Sequence, residues 1–367
     1  MANLALANLT KRKTRTLVSI MAVAIEISLI LVLVGLTRGT LDEVASRMQN
    51  IGADILFLPP GSSSILSLNN YFMHINLKEH LVTTEGVKAV SPVITWVTKK
   101  LGGFGGNLIF GIDPQEFINV GGRLELLKGK PLQGEYDMLV DRRLADANNL
   151  QLNDQVEVLN RRFTIVGICK AGVGARIYVP LTTLQNTLNE PNRASLFFVK
   201  CHSPELVGEV ASRLEKSFPG YKTQLSETYA EDLAESIQGI NQFIGAITVI
   251  AILVSFLVIL LAMYTTTIER TREIGILKAL GATKAYIVKT IVTEGIVLSM
   301  IGILCGYLLS LATQAWMGKT YPLINVIITP SWIILAGILG LVSGFFGSLY
   351  PSYRAARLDP LEALNYE

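Results

Sequence analysis

Four long apolar runs interrupt an otherwise mixed chain: Leu17–Leu36, Phe243–Tyr264, Gly295–Ala315 and Trp332–Tyr350. An α-helix rises 1.5 Å per residue, so about 20 mostly apolar residues carry it across the hydrocarbon of a bilayer. Each run meets that length, which predicts four membrane-spanning helices. The first run follows Lys11, Arg12, Lys13 and Arg15, as a signal peptide's apolar core would. It is long and no small-residue cleavage pattern follows it, so it reads as a retained span.

Between the first and second runs the pattern changes. Val156-Glu157-Val158 and Arg162–Ile168 are β-branched, strand-like stretches, and Gly, Pro and Asn punctuate the region. A folded domain of mixed α and β structure is predicted there. The flanking segments Thr40–Gln49 and Glu231–Gln242 have helical composition and lack strong breakers, so spans one and two are expected to continue into that domain as stalk helices.

Basic residues near span ends resist translocation, and their placement sets orientation. They gather in the N-terminal segment, in the second connection (Arg270, Arg272, Lys278, Lys284, Lys289) and after the fourth run (Arg354, Arg357), whereas the link between runs three and four carries only Lys319. Both termini are therefore expected in the cytoplasm. The expected order is a cytoplasmic N-terminal helix (1–16), span one (17–38), an extracytoplasmic domain with stalks (39–236) and span two (237–268). A cytoplasmic coupling segment (269–287), span three (288–316), an outer loop (317–330), span four (331–350) and a cytoplasmic tail (351–367) complete it.

Composition supports the membrane class, since half of the 367 residues are apolar and only 17% are charged. The net charge of +3 lies beside apolar runs and forms no basic stripe, which argues against a nucleic-acid partner. Cys169, Cys201 and Cys305 show no C-x-x-C spacing, so neither a zinc site nor a thioredoxin-like site is expected. Cys169 and Cys201 fall in the same domain, as a disulfide or as two buried thiols.

No catalytic site is expected. Gly318-Lys319-Thr320 has the ending of a phosphate-binding loop, but the motif's first glycine would fall on Thr313. His74, His80 and His202 lack metal-ligand spacing, and no G-x-S-x-G occurs. Two carboxylates lie within spans, Glu26 roughly 13 Å deep in span one and Glu294 at the start of span three. Such groups are costly in lipid and face protein or water, either as packing residues or in substrate passage and gating. Gly302/Gly306 and Gly340/Gly344 form G-x-x-x-G pairs, read mainly as packing inside the subunit and secondarily as a dimer contact.

The most informative stretch runs from Glu269 to Thr283. Ile274, Leu277 and Leu280 recur at three-residue steps, and Glu269 can pair with Arg272, predicting a short amphipathic helix. Gly281 is a reasonable stop, and Thr283 a cap for the helix leading into span three. Such a helix is available to dock a partner or to lie on lipid.

At these residues the chain resembles the FtsX-like permeases, an ABC transporter family that includes the MacB type of efflux pump and the lipoprotein-releasing permeases. Glu269–Ala282 looks like the family's inner loop and Pro351–Leu364 like its closing motif. Ile51-Gly52-Ala53-Asp54, Gly111-Ile112-Asp113-Pro114 and Arg162–Ile168 look like parts of its outer domain, the MacB-like periplasmic core. The resemblance implies a homodimer in the bacterial inner membrane, each copy docking a separate ABC ATPase. The coupling residues it implies are Glu269, Arg270, Arg272, Glu273, Ile274, Gly275, Leu277, Lys278, Ala279, Gly281 and Ala282. This chain would hold no cofactor, with ATP and Mg bound by the ATPase.

ATP-driven closure would then pass along the stalks to the outer domains, exporting or extracting an amphipathic lipid, lipoprotein, peptide or drug. A membrane-fusion adaptor and an outer-membrane channel are further partners of such pumps. The chain departs from the MacB type in showing no fused ATPase, and Ser352 stands where alanine is usual. The alternative within the same resemblance is an FtsX-like regulator that drives a cell-wall enzyme. The nearly 200 residues of the outer domain favour the export and extraction types.

Overall fold

A computed structural model describes residues 13–61, 71–98, 101, 106–229 and 238–359. The chain divides into two compact units. The membrane unit takes the chain up to Arg38, Gly239–Met317 and everything from Val326; the α/β unit takes Gly39–Gln238 together with Gly318–Asn325.

Numbered along the chain, the long helices are α1 (Lys13–Gln49), α7 (Gln238–Glu269), α9 (Lys284–Thr320) and α10 (Pro330–Arg357), with the short α8 (Thr271–Ala279) between α7 and α9. All four long helices are long and apolar enough to cross a membrane. Thr40–Gln49 continues α1 without a break. Of the second expected stalk, residues 231–237 lie outside the described residues. Helix α10 continues through Pro351 to Arg357, and within that stretch the Ser352 hydroxyl donates to the Leu349 carbonyl at 2.7 Å.

The first span is the centre of the membrane unit. Half of its apolar window is buried inside the protein, against 11% for the second. Without a hydrophobic force between helices in lipid, close approach must come from small residues. A Cβ on Gly302 would lie 2.6 Å from Val23 Cβ, and one on Gly306 would lie 2.7 Å from the Ala24 carbonyl, so this pair seats α9 on α1. Gly344 does the same for α10 against Ser299 of α9. Both G-x-x-x-G pairs thus serve contacts within the chain.

In the α/β unit, ten strands form one sheet. These are β1 (Ile55–Leu58), β3 (Val87–Thr98), β4 (Asn107–Ile112), β5 (Leu126–Gly129), β6 (Asp137–Asp141), β7 (Gln155–Val158), β8 (Arg161–Cys169), β9 (Ile177–Pro180), β11 (Leu196–Cys201) and β12 (Lys222–Leu225). Their order is β12-β1-β11-β3-β4-β9-β6-β8-β5, with β7 also on β8. Only β4–β9 and β6–β8 run parallel among the described pairs of this sheet. The short β2 (Met73–His74) and β10 (Arg193–Ala194) pair separately.

Strand β11 shows why the core forms on both faces. Successive side chains on a strand point to opposite sides. Phe198 joins Phe110, Phe117 and Tyr178 in one cluster, while Phe197 joins Phe57 and Leu214 in another. The expected strands 156–158 and 162–168 are the hairpin β7–β8, turned through Leu159 and Asn160, both at positive φ.

The family-like strings have plain structural tasks. Asp113 caps helix α3 (Pro114–Asn119) by accepting from the Gln115 and Glu116 amides. Asp54 accepts from Lys200 Nζ at 2.7 Å and from the Cys201 amide at 2.8 Å, pinning β11. Cys169 and Cys201 are buried free thiols. Four strands separate theirs, roughly 24 Å at the usual strand spacing, far beyond the reach of a disulfide. Burial raises both, Cys169 to about 12 and Cys201 to about 11, which leaves them chemically inert.

Candidate functional site

The residues singled out in the second connection form a helix break followed by a short helix. Helix α7 ends at Glu269, and Arg270 leaves helical geometry at φ −104° and ψ 14°. Helix initiation therefore falls at Thr271, two residues later than the sequence pattern suggests. Thr266 and Thr267 return their hydroxyls to the Ala262 and Met263 carbonyls, a local bond that competes with helix continuation. Arg270 then donates through Nε to Glu273 at 3.0 Å and through a terminal nitrogen to Glu294 at 3.2 Å. Glu294 is 4% exposed, so this charge-assisted contact ties the break to α9.

Helix α8 stops as its sequence predicts. Gly281 takes φ +94°, its amide donates to the Lys278 carbonyl, and the Ala282 amide donates to the Leu277 carbonyl at 2.9 Å. This is the Schellman pattern, in which a left-handed glycine lets the chain close off the last turn. Thr283 then caps α9, its hydroxyl accepting from the Tyr286 amide at 3.3 Å.

The face that α8 buries differs from the expected one. Ile274 is 6% exposed, but Leu277 is 42% and Leu280 80% exposed. A three-residue step on a helix of 3.6 residues per turn drifts by about 60°, so two steps carry Leu280 well away from Ile274. The buried side consists of Thr271, Ile274 and Gly275. The open side carries Glu273, Ile276, Leu277 and Leu280 within one third of the helix circumference. Arg272 and Ala279 are also exposed.

Lys278 points inward. Its ammonium donates to the Ala356 carbonyl at 3.1 Å and also to the Leu358 carbonyl. These are end-of-helix carbonyls of α10, which lack intrahelical partners and carry the negative end of the helix dipole. Nearby, Arg354 hydrogen-bonds the Tyr264 hydroxyl and lies 5.0 Å over its ring, and Tyr264 stacks on Tyr350. Sequence reasoning missed these cross-contacts, because nothing in a one-dimensional pattern says which helix end a lysine reaches.

Met263, Arg270, Ile274, Leu277, Ile287 and Glu294 line a cleft between the end of α7, α8 and the start of α9. Glu26 lies elsewhere, in the packed core of the spans, 2% exposed and accepting from the Ser343 hydroxyl of α10 at 3.4 Å. The structure does not bring Glu26 together with Glu294. Among the described residues no cluster of His, Cys, Asp and Glu could hold a metal ion.

Comparison with known proteins covers both units. Residues 16–217 match the MacB-like periplasmic core domain, and residues 245–360 match the FtsX-like permease C-terminal region, which includes α8 and the end of α10. The chain belongs to the FtsX-like ABC transporter permeases that carry a MacB-like periplasmic core domain. As a permease of this family it is a membrane protein, in keeping with its four helices long and apolar enough to cross a membrane.

The ABC transporter permease MJ1507 of Methanocaldococcus jannaschii is 24% identical over 99% of this chain and 97% of its own length. The macrolide export ATP-binding/permease protein MacB of Bdellovibrio bacteriovorus is 23% identical over 98% of this chain and 60% of its own. The permease YknZ of Bacillus subtilis is 27% identical over 59% of this chain and 57% of its own length. The chain thus spans 57% to 60% of the length of YknZ and of the Bdellovibrio MacB, less than two thirds of either. Among solved structures, the periplasmic region of MacB from Actinobacillus actinomycetemcomitans aligns over 51% of this chain and 95% of that one, with 18% identity and a TM-score of 0.38.

Proposed function

We propose that this chain is the membrane subunit of an ABC exporter, and that its separate ATPase docks on the open face of α8. The observation that carries this reading is the exposed apolar group Ile276, Leu277 and Leu280, flanked by Arg272 and Glu273, on a helix whose other side is fastened to α9 and α10. An exposed apolar face with a charged rim has the composition of a protein-docking site. The buried contacts give the push of a docked partner somewhere to go. ATP and Mg belong to the ATPase, and this chain converts its closure into movement.

The basic residues around α8 and at the end of α10 favour a cytoplasmic position for both termini and an extracytoplasmic position for the α/β unit, in a bacterial inner membrane. Two copies working with two ATPases form the transporter. The cargo is an amphipathic molecule, a reading supported by the names of relatives that export macrolides and pyoverdine. An adaptor and an outer-membrane channel complete the route where a second membrane exists.

The test is to co-express the chain with a candidate ABC ATPase, purify the pair in lipid nanodiscs and measure ATP turnover against lipid, lipoprotein and peptide fractions. Stimulation by one fraction identifies the cargo class. A stable pair indifferent to every fraction contradicts export and moves the cell-wall regulator to the front.

A further inference from the structure

The α/β unit contains a charged knot that the docking face does not involve. Glu43, on the part of α1 that belongs to this unit, offers one carboxylate oxygen to three guanidinium groups: Arg47 at 3.2 Å, Arg143 at 3.2 Å and Arg176 at 2.8 Å. Its side chain is only 11% exposed. Arg47 also reaches Asp141 at 2.7 Å, and the other oxygen of Asp141 caps helix α4 (Arg142–Asn148) by accepting from the Leu144 amide. Three cations thus share two carboxylates. Burial and the neighbouring Arg47 push Arg176 below the ordinary arginine range, as expected where positive charge is in excess.

A guanidinium cannot shed its proton, and burying it is costly unless its donors find acceptors. The acceptors that complete this knot come from a distant part of the chain. Arg143 donates to the Pro322 carbonyl at 2.9 Å and Arg176 to the Leu323 carbonyl at 2.9 Å. These are the two central residues of a turn closed by the Ile324 amide on the Tyr321 carbonyl at 2.9 Å. Proline presets the backbone at the first central position of such a turn, and the central carbonyls are not used in closing it. The Leu323 side chain also packs against the apolar cluster around Ile109, Ile165 and Ile177. By sequence, residues 317–330 read as a short link between spans three and four; by structure, residues 318–325 are part of the α/β unit.

We propose that the 321–324 turn is a latch held by Arg143 and Arg176, and that Glu43 is the positioning residue that orients both arginines. The Thr40–Gln49 end of α1 and the connection between α9 and α10 are thereby gripped by the same knot. Displacement of that helix end is delivered to the connection at once and does not have to travel through the ten-stranded sheet. The use of this latch in transport rests on the function proposed above; its existence does not.

Hydrogen exchange on the full chain in lipid nanodiscs tests the latch without any ATPase. In the double variant Arg143→Met/Arg176→Met, loss of charge-assisted bonds should raise exchange of the 318–325 amides by about tenfold or more, while β3 and β4 stay protected. Glu43→Gln should act in the same direction with both arginines present. Should Glu43→Gln fail to fold, Arg143→Lys/Arg176→Lys keeps the charge but loses the planar fork, and should give an intermediate rate. Unchanged exchange at 318–325 in either double variant, with the sheet intact, would overturn the latch. With the ATPase present, the Met variant should still co-purify with it but lose cargo-stimulated turnover; full stimulation with a loosened turn would overturn its role in transmission. An ATPase that fails to bind the unsubstituted chain contradicts the docking reading alone.

Discussion

Lys278 Nζ lies 3.1 Å from the carbonyl oxygen of Ala356, and this contact joins the two most diagnostic segments of the chain. They are 78 residues apart, yet the ammonium of α8 closes the end of the last membrane helix. One face of α8 is thus free for a partner while its opposite side holds two other helices. Lys278 belongs to the inner side, which separates it from the exposed residues proposed for docking.

Lys278→Met should therefore spare ATPase binding and impair its consequence. Loss of hydrogen bonds from a charged donor is worth about 1.5–3 kcal/mol, enough to loosen the end of α10. Co-purification should persist, cargo-stimulated turnover should fall, and protease sensitivity near Arg357 should rise. Lys278→Arg should recover part of the coupling.

The exposed and buried positions of α8 should behave oppositely. Leu280→Asp changes a residue that is 80% exposed, so melting of the purified chain should stay within about 0.5 kcal/mol of the parent while ATPase co-purification is lost. Ile274→Ala removes a buried side chain and should cost about 2–5 kcal/mol in stability. An unaffected complex with Leu280→Asp and Leu277→Asp would remove the docking role.

The seat of α9 on α1 offers a test of the membrane unit. Gly306→Val would place its Cβ 2.7 Å from a backbone carbonyl of α1, which a side-chain rotation cannot relieve. Overpacking of this kind costs about 1–3 kcal/mol. The variant should melt earlier in detergent, whereas Gly318→Ala, where a Cβ meets nothing within 4 Å, should not.

Alkaline pH should weaken the α/β unit through its thiols. Burial raises Cys169 from 9.0 to about 12, so the folded chain keeps a proton that the unfolded chain releases. This contribution is fully present below pH 9 and declines as pH rises from 9 toward 12. Denaturant midpoints between these limits should fall less steeply in Cys169→Ala. In the same range, thiol reagents should spare Cys169 until the domain unfolds.

Those positions show what was legible in one dimension. The four spans and the glycine stop at 281 follow from lengths and local chemistry, which act over a few residues. The buried face of α8 was not legible, because a three-residue recurrence resembles a helical stripe but drifts around the cylinder from Ile274 to Leu280. The β7–β8 hairpin had visible strands but an unannounced turn, since Leu159 takes a left-handed conformation that favours glycine or asparagine. The arginine knot had no local signal at all: Glu43, Arg143, Arg176 and the 322–323 carbonyls meet only through tertiary folding.

The ends of the sheet also decide how the α/β unit meets its neighbours. Its terminal strands, β12 and β5, are four residues each and carry Lys222 and Lys128, and the pairing of β5 slips register between Leu126 and Lys128. Short, charged and kinked edges are poor templates for a strand from another molecule. A partner meeting the sheet at these two edges would have to recognise side chains, because the backbone there is a poor template for strand addition.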